Sequence, residues 1–164
     1  GRIMTNAGRT RSYGAELTAR WTPTADLSAR MSYGYTNATF RTYKDGRADY
    51  RGRRVPYAPS NTLFAEVNWR ASSLAFAGIT PALAADVNCA GPIYWNEANT
   101  LKQNFYCLAG LSLAFEAEKW SVRLWAKNLT GTRYDTFYFM SMGNAFTQRG
   151  LPRRFGVTLR LALR

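Results

Sequence analysis

The feature that most constrains this chain is an alternation of bulky apolar and polar residues with a period of two. It is plainest in RRFGVTLRLALR, residues 153–164. Phe155, Val157, Leu159, Leu161 and Leu163 fall on one parity; Arg154, Gly156, Thr158, Arg160, Ala162 and Arg164 fall on the other. Successive side chains of a strand point to opposite faces, so this period predicts strands with one apolar and one polar face.

The pattern recurs along the sequence. Tyr13, Ala15, Leu17, Ala19 and Trp21 alternate with Gly14, Glu16, Thr18 and Arg20. After the turn TPTAD, Leu27, Ala29, Met31, Tyr33 and Tyr35 alternate with Ser28, Arg30, Ser32, Gly34 and Thr36. A basic loop closed by Pro56 and Pro59 leads to a third strand carrying Leu63, Ala65, Val67 and Trp69. LAFAGI, residues 74–79, reads as a weaker fourth strand blurred by Pro81, and 87–103 as a long loop. The fifth strand runs through Phe105, Cys107, Ala109, Leu111, Leu113 and Phe115. The sixth has Trp120, Val122, Leu124 and Ala126 opposite Ser121, Arg123, Trp125 and Lys127. A seventh is expected over 134–140, with aromatics on both parities, and the closing stretch is the eighth.

No helical period of useful length competes. The expected fold is all-β, an antiparallel up-and-down barrel with about eight strands in this chain, because a sheet that wide must close or pack on another. At 164 residues the chain is one barrel domain over 1–164, or a barrel fragment.

Composition narrows the choice of surroundings. No run of about 18 apolar residues exists, which excludes a transmembrane helix but not a strand-built span. Lys and Arg outnumber Asp and Glu by 22 to 10 and His is absent. The excess is spread over loops and one strand face, so nucleic acid is not the expected partner. Lacking His, the chain has no acyl-transfer triad and no metal-ligand pattern, so neither catalysis nor a cofactor is expected. Cys89 and Cys107 are 18 positions apart. One loop-closing disulfide and two free thiols both remain open. GRIMTNAGRT offers no apolar stretch for a signal peptide, so a mature product or a piece of something longer is expected.

Alternation alone does not say which face is inside. In a soluble barrel the apolar face turns inward. In a membrane barrel it meets lipid while the polar face lines the lumen. Aromatics near strand ends (Trp21, Tyr35, Trp69, Phe105, Phe115, Trp120 and Phe155) suit interfacial girdles. The other parity mixes Gly and Ser with Glu16, Arg20, Arg30, Glu66, Arg70, Arg123, Lys127 and Arg160, which suits a crowded lumen of ion pairs. There Glu16, Glu66 and Glu116 are expected to pair with Arg20, Arg70 and Arg123. Arg149, Arg153 and Arg154 fall in or beside loops, where they could contact ligand or lipopolysaccharide. Two Asn-x-Thr sequons, at Asn37 and Asn128, read as chance, with Asn128 and Gly131 shaping a turn.

Four segments resemble TonB-dependent outer-membrane receptors, in their C-terminal barrel portion. NAGRTRSYGAELTARWTPTADLSARMSYGYTNATF is similar to that family's paired strands, and GRRVPYAPSNTLFAEVNW to its "vPyaP-xx-T" stretch. WSVRLWAKNLTGTRYD resembles the strand ending "v-k-N-L-f-d-x-x-Y", and GLPRRFGVTLRL the final "G-x-P-R-x-f-g-v-x-l" strand. Each is weak alone; four in order are specific. The resemblance implies a bacterial outer-membrane location, outer-membrane lipid as surroundings, and a part in uptake of a ferric siderophore or other large nutrient. It implies a link to the TonB system only through an N-terminal plug that these residues do not contain. Members usually end on an aromatic residue; this chain ends Ala162, Leu163, Arg164. A whole receptor barrel has about 22 strands, so the resemblance leaves a small closed barrel and a part of a larger one both open. The alternative function is a soluble β-barrel binding module, lipocalin-like or polyanion-binding.

One conflict remains at this level. With eight strands and a periplasmic C-terminus, counting back puts the short 22–26, 71–73 and 117–119 turns outside and the long loops inside, against the habit of such barrels.

Overall fold

The computed structural model describes residues 8–46 and 48–162. Leu163 and Arg164, whose parity was expected to continue the closing strand, lie outside the described residues.

Seven strands form one antiparallel wall: β1 (Arg9–Trp21), β2 (Leu27–Thr42), β5 (Asn61–Arg70), β6 (Thr80–Gly91), β9 (Tyr106–Glu116), β10 (Trp120–Lys127) and β13 (Arg154–Leu161). Each inner strand pairs with the wall strand before and after it in the chain. Three small hairpins stand on the loops: β3 (Lys44–Asp45) with β4 (Ala48–Asp49), β7 (Ile93–Tyr94) with β8 (Lys102–Gln103), and β11 (Asp135–Ser141) with β12 (Asn144–Arg149). One 3-10 turn, Ser72–Leu74, interrupts the β5–β6 connection.

Two expectations are corrected. The fourth strand is Thr80–Gly91, not 74–79, and five residues of the expected 87–103 loop belong to it. Pro81 is its second residue, where a missing N–H is tolerated, so the proline opens the strand that it was expected to end. Residues 76–79 instead form a tight turn, with Phe76 bridged to Ile79 and both Ala77 (φ 51) and Gly78 (φ 75) left-handed. The seventh strand is not in the wall: 135–141 pairs only with 144–149, and β13 pairs directly with β10. Aromatics on both parities were the sign of a hairpin that packs neither face against a continuous surface.

Removing that strand from the count also removes the conflict in topology. The short connections 22–26, 71–79 and 117–119 now all lie at one end of the wall, and the long loops 43–60, 92–105 and 128–153 at the other. Each short turn is closed locally: Thr24 Oγ1 accepts from the Leu27 amide at 3.1 Å, and Ala117 N–H donates to the Trp120 carbonyl at 2.8 Å.

Strands directly opposite each other share a face, so register assigns every side chain. One face carries the row Trp21, Ala29, Val67, Ala85, Leu111, Ala126, Phe155, and beside it Leu27, Trp69, Leu83, Leu113, Leu124, Val157. The large side chains of this face are mostly uncovered: Leu17, on the same parity, is 58% exposed, Trp21 61% and Phe155 68%. Among the described residues only Phe40, Ala71, Cys89, Trp95 and Ala114 are buried apolar side chains. An apolar face this wide, left open, is not the surface of a protein standing in water. The wall does not close either, since β1 and β13 are its unpaired edges among the described residues. An inward apolar core of the soluble-barrel kind is therefore not formed, and the wall is an arc of a larger barrel.

About 9–11 residues of tilted strand cross a bilayer, and β2 has 16. Its upper end, with that of β1, runs past the apolar band, which is why the alternation fades after Tyr35.

Candidate functional site

The opposite face of the wall is polar, and register places Glu16, Arg20, Arg30, Glu66, Arg70, Arg123, Lys127 and Arg160 all on it. It also adds residues that the sequence reading passed over. Asp86 sits opposite Glu66, on the part of β6 expected to be loop or unassigned. Arg154, expected as a loop contact, is the first residue of β13 and stands opposite Lys127 on this face.

Of the two ion pairs on this face, Arg70 with Glu116 joins members of the two expected sets, whereas Glu66 takes Arg30, which was not among the expected partners. Arg30 Nη2 meets Glu66 Oε2 at 3.0 Å, and Arg70 Nε meets Glu116 Oε2 at 3.4 Å. The Arg30 guanidinium also lies 5.0 Å from the Phe64 ring centroid. Arg30 is the direct cross-strand neighbour of Glu66, while Arg70 reaches Glu116 across β6, where small Ala82 stands between them; both neighbourhoods become visible only once the register is known. One row across four strands thus reads Arg20, Arg30, Glu66, Asp86.

Two glycines let large groups lie flat on this face. The Trp125 indole covers Gly156, where a Cβ would overlap the ring, and its Nε1–H donates to Thr158 Oγ1 at 3.1 Å. Lys127 Nζ is 5.7 Å from the same ring system. The Asp86 carboxylate covers Gly110 in the same way. Beside Asp86 and Gly110 lies an open concavity of about 410 Å³, with Arg30, Asp86, Lys127, Asn128, Tyr134 and Arg154 among its walls.

Above the wall, the three long loops bond to one another. A chain of aromatic rings runs Trp95, Tyr57, Phe137, Phe139, Phe146, with successive centroids 5.5, 5.6, 5.8 and 5.0 Å apart. Tyr57 Oη donates to the Tyr138 carbonyl at 2.6 Å, tying loop 43–60 to the β11–β12 hairpin. The Arg54 amide donates to Asn99 Oδ1 at 2.6 Å, and Asn99 Nδ2 returns a bond to the Arg54 carbonyl at 2.9 Å. The Asp135 amide donates to Gln103 Oε1 at 2.9 Å, joining the other two loops. Tyr106 and Tyr134 stack at 4.6 Å. In loop 43–60, burial and then the carboxylates of Glu97 and Asp45 raise the Tyr43 phenol above its ordinary value.

Asn128 anchors the longest loop. It is 6% exposed and left-handed (φ 51). Its Nδ2 donates to the carbonyls of Thr132 at 2.9 Å and Leu151 at 3.1 Å, while Oδ1 accepts from the Thr132 amide at 2.9 Å. Of the other expected loop cations, Arg149 closes β12 opposite Asp135, and the Arg153 guanidinium lies against Gly131. Cys89 and Cys107 are direct cross-strand partners and form a disulfide.

The aromatics singled out from the sequence separate by height on the apolar face. Trp21, Trp69, Phe115 and Trp120 stand at the short-turn end. Tyr35 and Phe155 lie toward the long loops, and Phe105 directly precedes β9 at that end.

The wall's likeness to known proteins runs over nearly its whole length. The chain is 28% identical over 160 residues to the pesticin receptor of Yersinia pestis, covering 96% of the chain and 23% of that protein. The crystal structure of the ferric yersiniabactin uptake receptor FyuA from Yersinia pestis superposes with a TM-score of 0.82 at 26% identity, over 95% of the chain and 24% of that structure. The ferric preacinetobactin receptor BauA from Acinetobacter baumannii shares the fold, with a TM-score of 0.75 at 19% identity over 92% of the chain and 22% of BauA. The chain thus spans about a quarter of the length of these relatives. Residues 2–129 match the family model for the TonB dependent receptor-like β-barrel. With an open antiparallel wall, one apolar and one charged face, and long loops gathered at one end, the chain belongs to the β-barrel family of TonB-dependent receptors.

Proposed function

We propose that this chain is the C-terminal arc of an outer-membrane receptor barrel that takes up a ferric siderophore or a nutrient of similar size. The observation that carries the reading is the division of the wall: one face exposed and apolar, the other charged, and every long loop at one end. In this reading the apolar face meets lipid. Trp21, Trp69, Phe115 and Trp120 lie at the periplasmic headgroups, and Tyr35, Phe105 and Phe155 at the outer ones. Glu16, Arg20, Arg30, Glu66, Arg70, Arg123, Lys127 and Arg160 line the lumen. The ring chain from Trp95 to Phe146 supplies ligand contact at the mouth, and energy comes from the TonB system through parts of the receptor outside these residues. The likeness to FyuA, a ferric yersiniabactin uptake receptor, supports a metal chelate as cargo.

Two measurements test this. The full-length receptor requires detergent and runs faster on an unheated gel than after boiling, as closed membrane barrels do. Radiolabelled ferric-chelate uptake in the native host is lost on deletion of the gene and returns on complementation. A protein that stays monodisperse without detergent would sink the membrane reading. Unchanged uptake of every ferric chelate tried would sink the transport reading alone.

A further inference from the structure

Three cations not assigned to the lumen, Arg9, Arg11 and Arg54, sit on the other side of the wall. On β1 the apolar parity runs upward through Trp21, Ala19, Leu17, Ala15 and Tyr13, then changes abruptly to Arg11 and Arg9. Arg11 stands opposite Thr39 of β2, and Thr39 is bridged in turn to Arg54, so Arg54 joins the same row of the same face. Rows two strands apart are separated by about 9–10 Å, and residues two apart on a strand by about 7 Å. Three guanidinium-bearing positions therefore fall within one patch about 12 Å across, directly above the Tyr13 and Tyr35 level.

The patch is partly ordered by its own contacts. The Arg11 guanidinium lies 5.5 Å from the Tyr13 ring centroid, and Asn37 Nδ2 donates to Tyr13 Oη at 2.6 Å. Arg54 Nη1 donates to the Thr36 carbonyl at 3.4 Å. Among the described residues none of the three arginines forms a salt bridge. Glu16, the carboxylate of β1, is on the opposite face. Cations at this height on a lipid-facing parity stand among headgroups rather than acyl chains or lumen. A guanidinium fork matches phosphate oxygens two at a time.

We propose that Arg9, Arg11 and Arg54 form a binding site for the phosphates of an outer-leaflet glycolipid, the diphosphorylated lipid A of lipopolysaccharide. The inference rests on the membrane reading above, because it takes the apolar face as the lipid face. It moves lipid recognition away from Arg154, which register puts on the polar side, and onto the outward side of β1, β2 and the strand-like segment beside them.

The test uses the full-length receptor in detergent, with retained lipid read by native mass spectrometry. The probes are diphosphorylated lipid A, monophosphoryl lipid A, phosphatidylethanolamine and inorganic phosphate. Diphosphorylated lipid A is retained about fivefold or more better than the monophosphoryl form, and millimolar inorganic phosphate does not displace it. The triple variant Arg9→Gln, Arg11→Gln, Arg54→Gln loses about a hundredfold in affinity, and Arg11→Gln alone about fivefold. The single variant carries the test if the triple one fails to shift on an unheated gel. Lys119→Gln, at the opposite end of the wall, binds as the native protein does. Native retention in the arginine variants overturns the proposal, as does indifference to phosphate number or full displacement by inorganic phosphate. A receptor that binds the lipid through these arginines yet takes up no chelate supports this site and overturns the transport reading.

Discussion

The Trp125 indole lies across Gly156 on the neighbouring strand, and no side chain larger than hydrogen fits beneath it. Its Nε1–H reaches Thr158 at 3.1 Å, two residues further along β13. Gly156 breaks the rule that glycine weakens a strand, because the ring above it replaces the missing contact. Gly156→Ala should therefore cost about 1–3 kcal/mol by overpacking. Thermal unfolding of the full receptor in detergent checks this, with Trp125→Ala added to the same variant. The double variant should be more stable than the sum of the two single changes predicts. Additive losses would show that ring and glycine are not coupled.

Asn128 holds the start of loop 128–153 by three side-chain bonds from a left-handed backbone position. Alanine leaves the part-buried Thr132 and Leu151 backbone groups without those partners and is itself disfavoured at φ 51, for a combined loss of about 1–3 kcal/mol. Limited proteolysis should cut the loop faster in Asn128→Ala than in Asn128→Asp, which keeps an acceptor for the Thr132 amide. Equal cutting rates in all three proteins would refute the anchoring role.

How far the sequence reveals this architecture depends on what each strand touches. β1, β5, β10 and β13 separate an apolar from a charged surface along their length, so period two is written in their residues. β6 does the same work with Ala82, Ala84 and Ala85, whose small side chains give little contrast, and Pro81 at its start reads as a stop. The hairpin 135–149 has strand-forming residues without a two-sided environment, so its sequence announces strands but not where they pair. The lumen candidates were legible as a parity; their partners were not, because Glu66 choosing Arg30 is a fact of register. The aromatic chain Trp95–Tyr57–Phe137 joins three loops distant in sequence and has no local signal.

The Cys89–Cys107 disulfide links β6 to β9 across a separation of 18 residues, just below loop 92–105. Restricting the unfolded chain by a loop of this length is worth about 2–4 kcal/mol. Cys89→Ser with Cys107→Ser should lower the unfolding temperature, and a reductant should bring the native protein down to the same value without affecting the variant. Thiol labelling of the untreated native protein should find neither cysteine reactive. A reactive thiol there, or identical unfolding of native and variant, would count against the bridge.

The row Arg20, Arg30, Glu66, Asp86 places two like-charged pairs side by side and only one attractive pair between them. Like charges directly opposite on adjacent strands are unfavourable, and attractive pairs favourable, each by about 0.2–1 kcal/mol. Exchanging the central residues, Arg30→Glu with Glu66→Arg, converts the row to alternating signs and makes all three neighbouring pairs attractive. The exchange forfeits the Arg30 contact with Phe64, itself worth about 0.5–1 kcal/mol at an exposed site. With Arg30 46% and Glu66 29% exposed, solvent screens every one of these terms, so the net change in stability should stay within about 1 kcal/mol. Salt separates the effects more cleanly than stability does. Screening weakens repulsion and attraction together, so unfolding temperature should fall more steeply with added NaCl in the exchanged protein than in the native one. If it does while chelate uptake drops, the native order of signs is held for the ligand path at a small cost to the wall. Equal salt slopes would mean that these four side chains do not act as one row.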